Sequence, residues 1–158
     1  MVEMVPTKLD RVRDHTAPQV NAEIDNRIAE NIRVFASQSE ERITARIREL
    51  ELEWDIERIL ETNASTLALV GTALGAFLNP WFLLIPGIVT TFLLQHATQG
   101  WCPPLPIFRR MGKRTRNEID AEKFAMKALR GDFNGLTSSG DSVFAERVID
   151  AVAAFRRK

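Results

Sequence analysis

The stretch TNASTLALVGTALGAFLNPWFLLIPGIVTTFLLQHAT, residues 62 to 98, decides how this chain is read. It opens a run from Thr62 to Phe108 in which 47 consecutive residues include no Asp, Glu, Lys or Arg, within a chain of 158 residues that is 27% charged. A bilayer hydrocarbon core of about 30 Å is crossed by about 20 apolar residues of helix, so the apolar part of this run suits two short spans better than one. Asn79-Pro80 divides them, because proline cannot continue the preceding hydrogen-bond ladder and the residue before it avoids helical dihedrals. The expected fold is all-α: a two-helix transmembrane hairpin at 62–98, with arms at 62–78 and 81–98, and amphipathic cytoplasmic helices on both sides.

Details inside the run agree with that reading. Trp81 and Trp101 are 20 residues apart, about 30 Å of helix, which would set one indole at each membrane interface. Ala64, Ala68, Gly71 and Gly75 form a small-residue stripe where another helix can approach closely, either the second arm or a second copy of the chain. Pro86-Gly87 is expected to bend the second arm or loosen a turn of it, with Thr90 and Thr91 near enough to satisfy freed backbone groups. The alternative is a soluble helical bundle with the hairpin at its core, but about 100 strongly charged flanking residues would then have to wrap two apolar rods completely.

Outward from the hairpin the charge divides. Residues 1–61 hold nine basic and fourteen acidic residues, residues 109–158 hold twelve and seven, and the two ends cancel to a formal net charge of zero. That balance argues against a whole-chain nucleic-acid binder. The basic cluster Arg109, Arg110, Lys113, Arg114 and Arg116 directly follows the apolar run and should hold that side in the cytoplasm, where it could also meet anionic lipid head groups. Both termini are therefore expected on the cytoplasmic side of a bacterial inner membrane. Residues 1–61 contain no apolar leader segment, so the chain is expected to keep its N-terminus.

The ends read as helical. Residues 1–18, with Pro6 and Pro18, are expected to be flexible. In 19–61, Ile24, Ile28, Ile32, Phe35, Ile43, Ile47, Leu50 and Trp54 recur at three- and four-residue steps, as on an amphipathic helix. Ser37-Gln38-Ser39 interrupts them, and either a break there or a new helix capped by Ser39 and extending through Glu61 is expected, with no breaker between Glu61 and the first arm. Region 99–133 holds a membrane-edge turn, the basic cluster and a short helix, which Thr115 and Glu118 open as a capping box. Ala121, Phe124, Ala125 and Ala128 are its expected apolar face, and Gly131 ends it. Residues 134–142 read as a linker, and 143–158 as a last amphipathic helix with Phe144, Val148, Val152 and Phe155 on one side.

Chemistry is sparse. One cysteine and two histidines, His15 and His96, exclude a disulfide framework and a cysteine-based zinc site, and no cofactor or metal is expected. Cys102 is the one candidate for thiol chemistry, since Arg109 or His96 could supply the cationic neighbour that a thiolate needs. The competing reading is a small buried residue in a turn. Asn63-Ala64-Ser65 and Arg130-Gly131-Asp132 match a glycosylation acceptor and an adhesion motif but read better as a cytoplasmic helix start and a helix cap. Asp132 and Asn134 lack the ligand spacing of a calcium loop.

With these residues in place, the segment from Arg58 through Asn63, Gly71 and Gly75 to Gln99-Gly100-Trp101-Cys102-Pro103 resembles the YgaP-like transmembrane hairpin family of bacterial inner-membrane proteins. The blocks Glu53-Trp54-Asp55-Ile56-Glu57-Arg58, Cys102-Pro103-Pro104-Leu105-Pro106 and Lys127-Ala128-Leu129-Arg130-Gly131-Asp132-Phe133 resemble a longer variant group, so the likeness covers roughly 40 to 133. The resemblance implies two short membrane helices with no assigned activity of their own. Some members carry the hairpin behind a rhodanese-type sulfurtransferase domain, which would associate Cys102 with sulfur chemistry, but this chain has no such domain. The sequence reading is therefore a small non-enzymatic inner-membrane protein that self-associates and presents cytoplasmic helices to a protein partner. Thiol or sulfur handling at Cys102 is the alternative.

Overall fold

In the computed structural model, residues 10–133 are described, and their elements are all helical. Residues 1–9, the expected linker at 134–142 and the expected helix at 143–158 lie outside the described residues. A single turn, α1 (Arg11–Asp14), leads into α2 (Pro18–Phe35) and α3 (Glu40–Leu52). The long α4 (Ile56–Phe77) and α5 (Leu84–Gln99) are joined by a 3-10 turn at Pro80–Leu83. The chain then closes through α6 (Leu105–Arg110) and α7 (Arg116–Leu129).

Local sequence explains most of the boundaries. Pro18 sits at the start of α2, where its missing N–H costs nothing. Ser37-Gln38-Ser39 separates α2 from α3 as expected. The helix from Ser39 does not reach Glu61, however, because it ends at Leu52 and a new one starts at Ile56. Asp55 causes the restart: its carboxylate accepts the Arg58 N–H at 2.8 Å as an N-cap. From Ile56 the helix runs unbroken past Thr62 to Phe77, so the first arm is rooted six residues earlier than the apolar run.

Pro86 sits near the start of the second arm. It is the third residue of α5, within the first turn, whose N–H groups have no intrahelical acceptor in any case. Thr90 and Thr91 bond the carbonyls of Pro86 and Gly87, not a carbonyl freed by proline.

Two apolar clusters hold the body. Val12, Ile56, Leu60, Cys102 and Leu105, with Trp101 and Phe108 against them, join α1, α4 and α6 at the hairpin base. Ile43, Ile47, Leu50, Ile119 and Met126, with Ile32 and Phe35, join α2, α3 and α7. Residues 10–18 belong to this body, which corrects their expected flexibility. Val12 is buried, Asp10 accepts the Thr115 hydroxyl at 2.7 Å, and Arg13 bonds both Asp25 oxygens and Glu118.

The capping box of α7 forms as expected, with Thr115 and Glu118 bonding each other's backbone N–H, and Gly131 follows its end at φ 85°. Its buried face is a different one. Glu118, Ile119, Glu122 and Met126 point inward, while Phe124 is 55% exposed and Ala121 and Ala128 are exposed. The two glutamates that look like solvent-facing charges are instead the centre of the body's polar core.

Candidate membrane-insertion hairpin and the cleft at its base

α4 and α5 pack along each other as an antiparallel pair, with the small-residue stripe between them. A Cβ added at Gly71 would lie 2.7 Å from Pro86 Cδ and 2.9 Å from Ile85 Cβ, and one at Gly75 would lie 2.6 Å from Leu83 Cδ2. Both glycines are buried, and Ala64 and Ala68 are half-buried on the same stripe. The stripe therefore serves the chain's own second arm. A second copy could reach Gly71 and Gly75 only by displacing that arm.

Away from the body the hairpin is bare. Leu69, Phe77, Leu78, Trp81 and Leu94 are each at least 66% exposed, and Leu67, Val70, Leu83, Leu84 and Ile88 are also exposed. Among the described residues, one helix is long and apolar enough to cross a membrane. It is the stretch Pro80–Gln99, almost none of which is buried. The expected first span at 62–78 does not reach the same measure. Thr62, Asn63, Ser65 and Thr66 dilute its first turns, and Glu57, Arg58 and Glu61 precede them on the same helix.

Five threonines and Asn63 on these arms bond to their own helices. The hydroxyls of Thr66, Thr72, Thr90, Thr91 and Thr98 each donate to the carbonyl four residues back, at 2.6 to 3.0 Å. Asn63 does the same to Ile59 at 2.8 Å. Such back-bonding removes the need for water around a hydroxyl, which is what a helix in hydrocarbon requires.

The two tryptophans differ. Trp81 is 76% exposed at the tip, whereas Trp101 packs on the base cluster. Between them the chain turns at Gly100, whose φ of 76° caps α5 and whose α carbon faces α1 so closely that a Cβ would lie 2.4 Å from Arg11 Cβ. Arg11 completes this end by donating from Nη1 to the Ala97 and Thr98 carbonyls at 2.9 and 3.1 Å.

The basic cluster divides: Arg109 and Arg114 are committed to the interior, while Arg110, Lys113 and Arg116 stay exposed. Arg109, 1% exposed, makes a two-pronged pair with Glu118 at 2.7 and 2.8 Å and also reaches Thr16, Asn21 and the Lys113 carbonyl. Arg114 is buried between Glu53 and Glu122, and Arg116 pairs with Asp55 at 3.0 Å. Arg110 and Lys113 are the exposed members besides Arg116. Glu118 is held below the usual carboxylate range. Burial alone would raise it, but the hydrogen bonds and charge of Arg109, the Thr115 N–H and the charge of Arg13 outweigh that.

Cys102 lies in the base cluster, 3% exposed, and burial pushes its thiol pKa up despite a hydrogen bond with the Leu105 backbone. Arg109 cannot serve as its activating cation, since its guanidinium is bound by Glu118. This is the environment of an inert core thiol.

One cleft of about 710 Å³ opens at the foot of the hairpin, where α1, α4 and α5 meet the start of α7. Asp10, Glu57, Glu61 and His96 line it, with Ser65 and Leu93 on the side nearer the tip. Glu57 is raised from the ordinary carboxylate value by burial first, then by the charges of Asp55, Asp10 and Glu61. Sequence reading did not anticipate this cleft, although Glu57 and Glu61 at four-residue spacing share a helix face and His96 is the only histidine in the apolar run. No family model matches this chain, and neither the curated proteins nor the solved structures compared with it contain a match.

Proposed function

We propose that this chain is a small, non-enzymatic bacterial inner-membrane protein that inserts its α4–α5 hairpin into the bilayer and holds its helical body at the cytoplasmic surface for a protein partner. The observation that carries the reading is the bare apolar hairpin. Its large side chains from Leu67 to Leu94 face outward with nothing from the described body wrapped over them, while its threonines bond their own helices. Exposed apolar surface of this extent needs a non-aqueous neighbour. The 3-10 turn and α5 together reach about 30 Å, one hydrocarbon thickness. The architecture proposed is the one implied by the resemblance to the YgaP-like transmembrane hairpin family. Self-association belongs to the same reading and falls to outward residues such as Leu69 and Phe77, because Gly71 and Gly75 are covered by the second arm.

Carbonate washing of membranes, combined with maleimide labelling of single cysteines at positions 20, 79 and 140 in a Cys102→Ala background, tests it. A wash-resistant protein labelled from outside only at Asn79→Cys is the expected result. Release by carbonate with no outside labelling would overturn membrane insertion and restore the bundle alternative.

A further inference from the structure

The outer side of α6, at the foot of the hairpin, carries cations that nothing in the body answers. Ile107 and Met111, 62% and 64% exposed, stand one turn apart there, and the Met111 N–H donates to the Ile107 carbonyl at 3.0 Å. Arg110 and Lys113 are exposed beside them. Arg27 of α2 joins the group, since its Nη1 would lie 2.9 Å from a Cβ added at Gly112. Arg27, Arg110 and Lys113 enter no ion pair among the described residues. Glu53 and Asp55 are already taken by Arg114 and Arg116, and Glu57 and Glu61 line the cleft.

Packing also fixes the level of α6 along the arms. Its Leu105 clusters with Leu60 and Ile56 of α4, two and six residues ahead of the charge-free run that starts at Thr62. At 1.5 Å per residue that is about 3–9 Å below the start of the run. The head-group layer on each side of a bilayer is about 5–8 Å thick, so α6 stands at its depth when the arms cross.

We infer that this face of α6 rests on anionic phospholipid head groups, with Ile107 and Met111 at the boundary with the acyl chains and Arg110, Lys113 and Arg27 on the phosphates. The inference deepens the proposed insertion of α4–α5 and rests on it for the depth of α6. Large apolar side chains interleaved with cations are what an interfacial surface needs, because the basic stems lie along the apolar layer while their heads reach phosphate. A polyanion in water would answer the charges but leave Ile107 and Met111 uncovered. Each cation near an anionic surface favours binding by about fivefold.

The test uses the full chain in detergent with equal amounts of phosphatidylglycerol and phosphatidylcholine, and native mass spectrometry reads the lipid retained. Phosphatidylcholine is the control because it has no net charge. Retention of phosphatidylglycerol about tenfold over phosphatidylcholine is expected. Arg110→Gln/Lys113→Gln should bring the two lipids within about twofold of each other, with the circular-dichroism melt unchanged. Arg42→Gln/Arg48→Gln removes the same charge from exposed positions on α3 and should keep the preference. In bilayers containing phosphatidylglycerol, a bimane on Met111→Cys in the Cys102→Ala background should be quenched more by head-group nitroxides than by mid-chain ones. Equal retention of the two lipids, a preference that survives Arg110→Gln/Lys113→Gln or falls equally with Arg42→Gln/Arg48→Gln, or a bimane without that head-group preference overturns the inference. Flotation with pure phosphatidylcholine vesicles reports the hairpin by itself. A chain that floats there and ignores phosphatidylglycerol keeps the hairpin and loses the α6 face, whereas one that fails to float there yet binds phosphatidylglycerol vesicles through Arg110 and Lys113 does the reverse.

Discussion

Set side by side, the hairpin and the body satisfy their polar groups in opposite ways. On the hairpin, Thr66, Thr72, Thr90, Thr91 and Thr98 each turn back onto a carbonyl four residues away, so every bond is local. In the body, Arg13 reaches Glu118 across 105 positions, Arg46 reaches Glu122 across 76, and Arg114 reaches Glu53 across 61. The hairpin keeps its surface apolar. The body buries charge and depends on each partner staying in place, because a buried ion left alone costs far more than the pair gained.

If that contrast is right, the largest effects should come from breaking the body's long-range pairs. Glu118→Ala strands Arg109, 1% exposed, together with Arg13, and should cost about 3–5 kcal/mol in urea unfolding followed by far-ultraviolet circular dichroism. Glu122→Ala, which strands Arg114 and Arg46, should behave alike. A loss below about 1 kcal/mol for either would mean the network is solvated and the contrast false.

Acid should dissect the same two regions. The carboxyl of Glu118 is depressed in the fold, so its contribution is present above the unfolded carboxylate pKa and is lost as the pH falls through the lower folded value. The body should therefore loosen in acid while the α4–α5 pairing, which uses no ion pair between its apolar arms, persists. Amide exchange measured from neutral to acid pH reads the two separately, and simultaneous loss of both would contradict the comparison.

Within the hairpin, Gly71→Leu should splay the arms, since even its Cβ would meet Pro86 Cδ at 2.7 Å. The expected cost is about 1–3 kcal/mol. Spin labels on the two arms should show a widened and broader distance distribution. Gly87→Ala is the internal control: nothing lies within 4 Å of its added Cβ, and the change should stabilise by about 0.5–1 kcal/mol through helix propensity alone. The smallest effect concerns the junction of the two regions. Cys102 should react with maleimide far more slowly in the folded protein than in urea at neutral pH, because it is buried and its thiol is held protonated.

The hairpin was legible because its signals are local. The missing charges, the Asn79-Pro80 stop and the glycine spacing lie within a few turns of what they determine. Even there, the root of the first arm is not legible, since α4 starts at Ile56, ahead of the apolar run. The body was only partly legible. Ile24, Ile28, Ile43, Ile47 and Leu50 are buried as their spacing suggests, and Thr115 and Glu118 form the capping box. The burial of Glu122 and Glu118 is not legible, because a carboxylate is normally exposed and the arginines that pair with each lie more than four residues away. The cleft was invisible for the same reason, being assembled from four separate elements.

Sequence by itself thus determined the helical character of the described residues, an apolar pair of arms with their turn, and the capping box at Thr115, all properties that hydropathy, proline and side-chain capping fix over one or two turns. Tertiary structure alone decided which face of α7 is buried, that Arg109 and Arg114 of the basic cluster turn inward, and that Glu57, Glu61 and His96 line one cleft. Those outcomes depend on which distant charge or apolar surface arrives to offset desolvation, and that is set only when the helices pack.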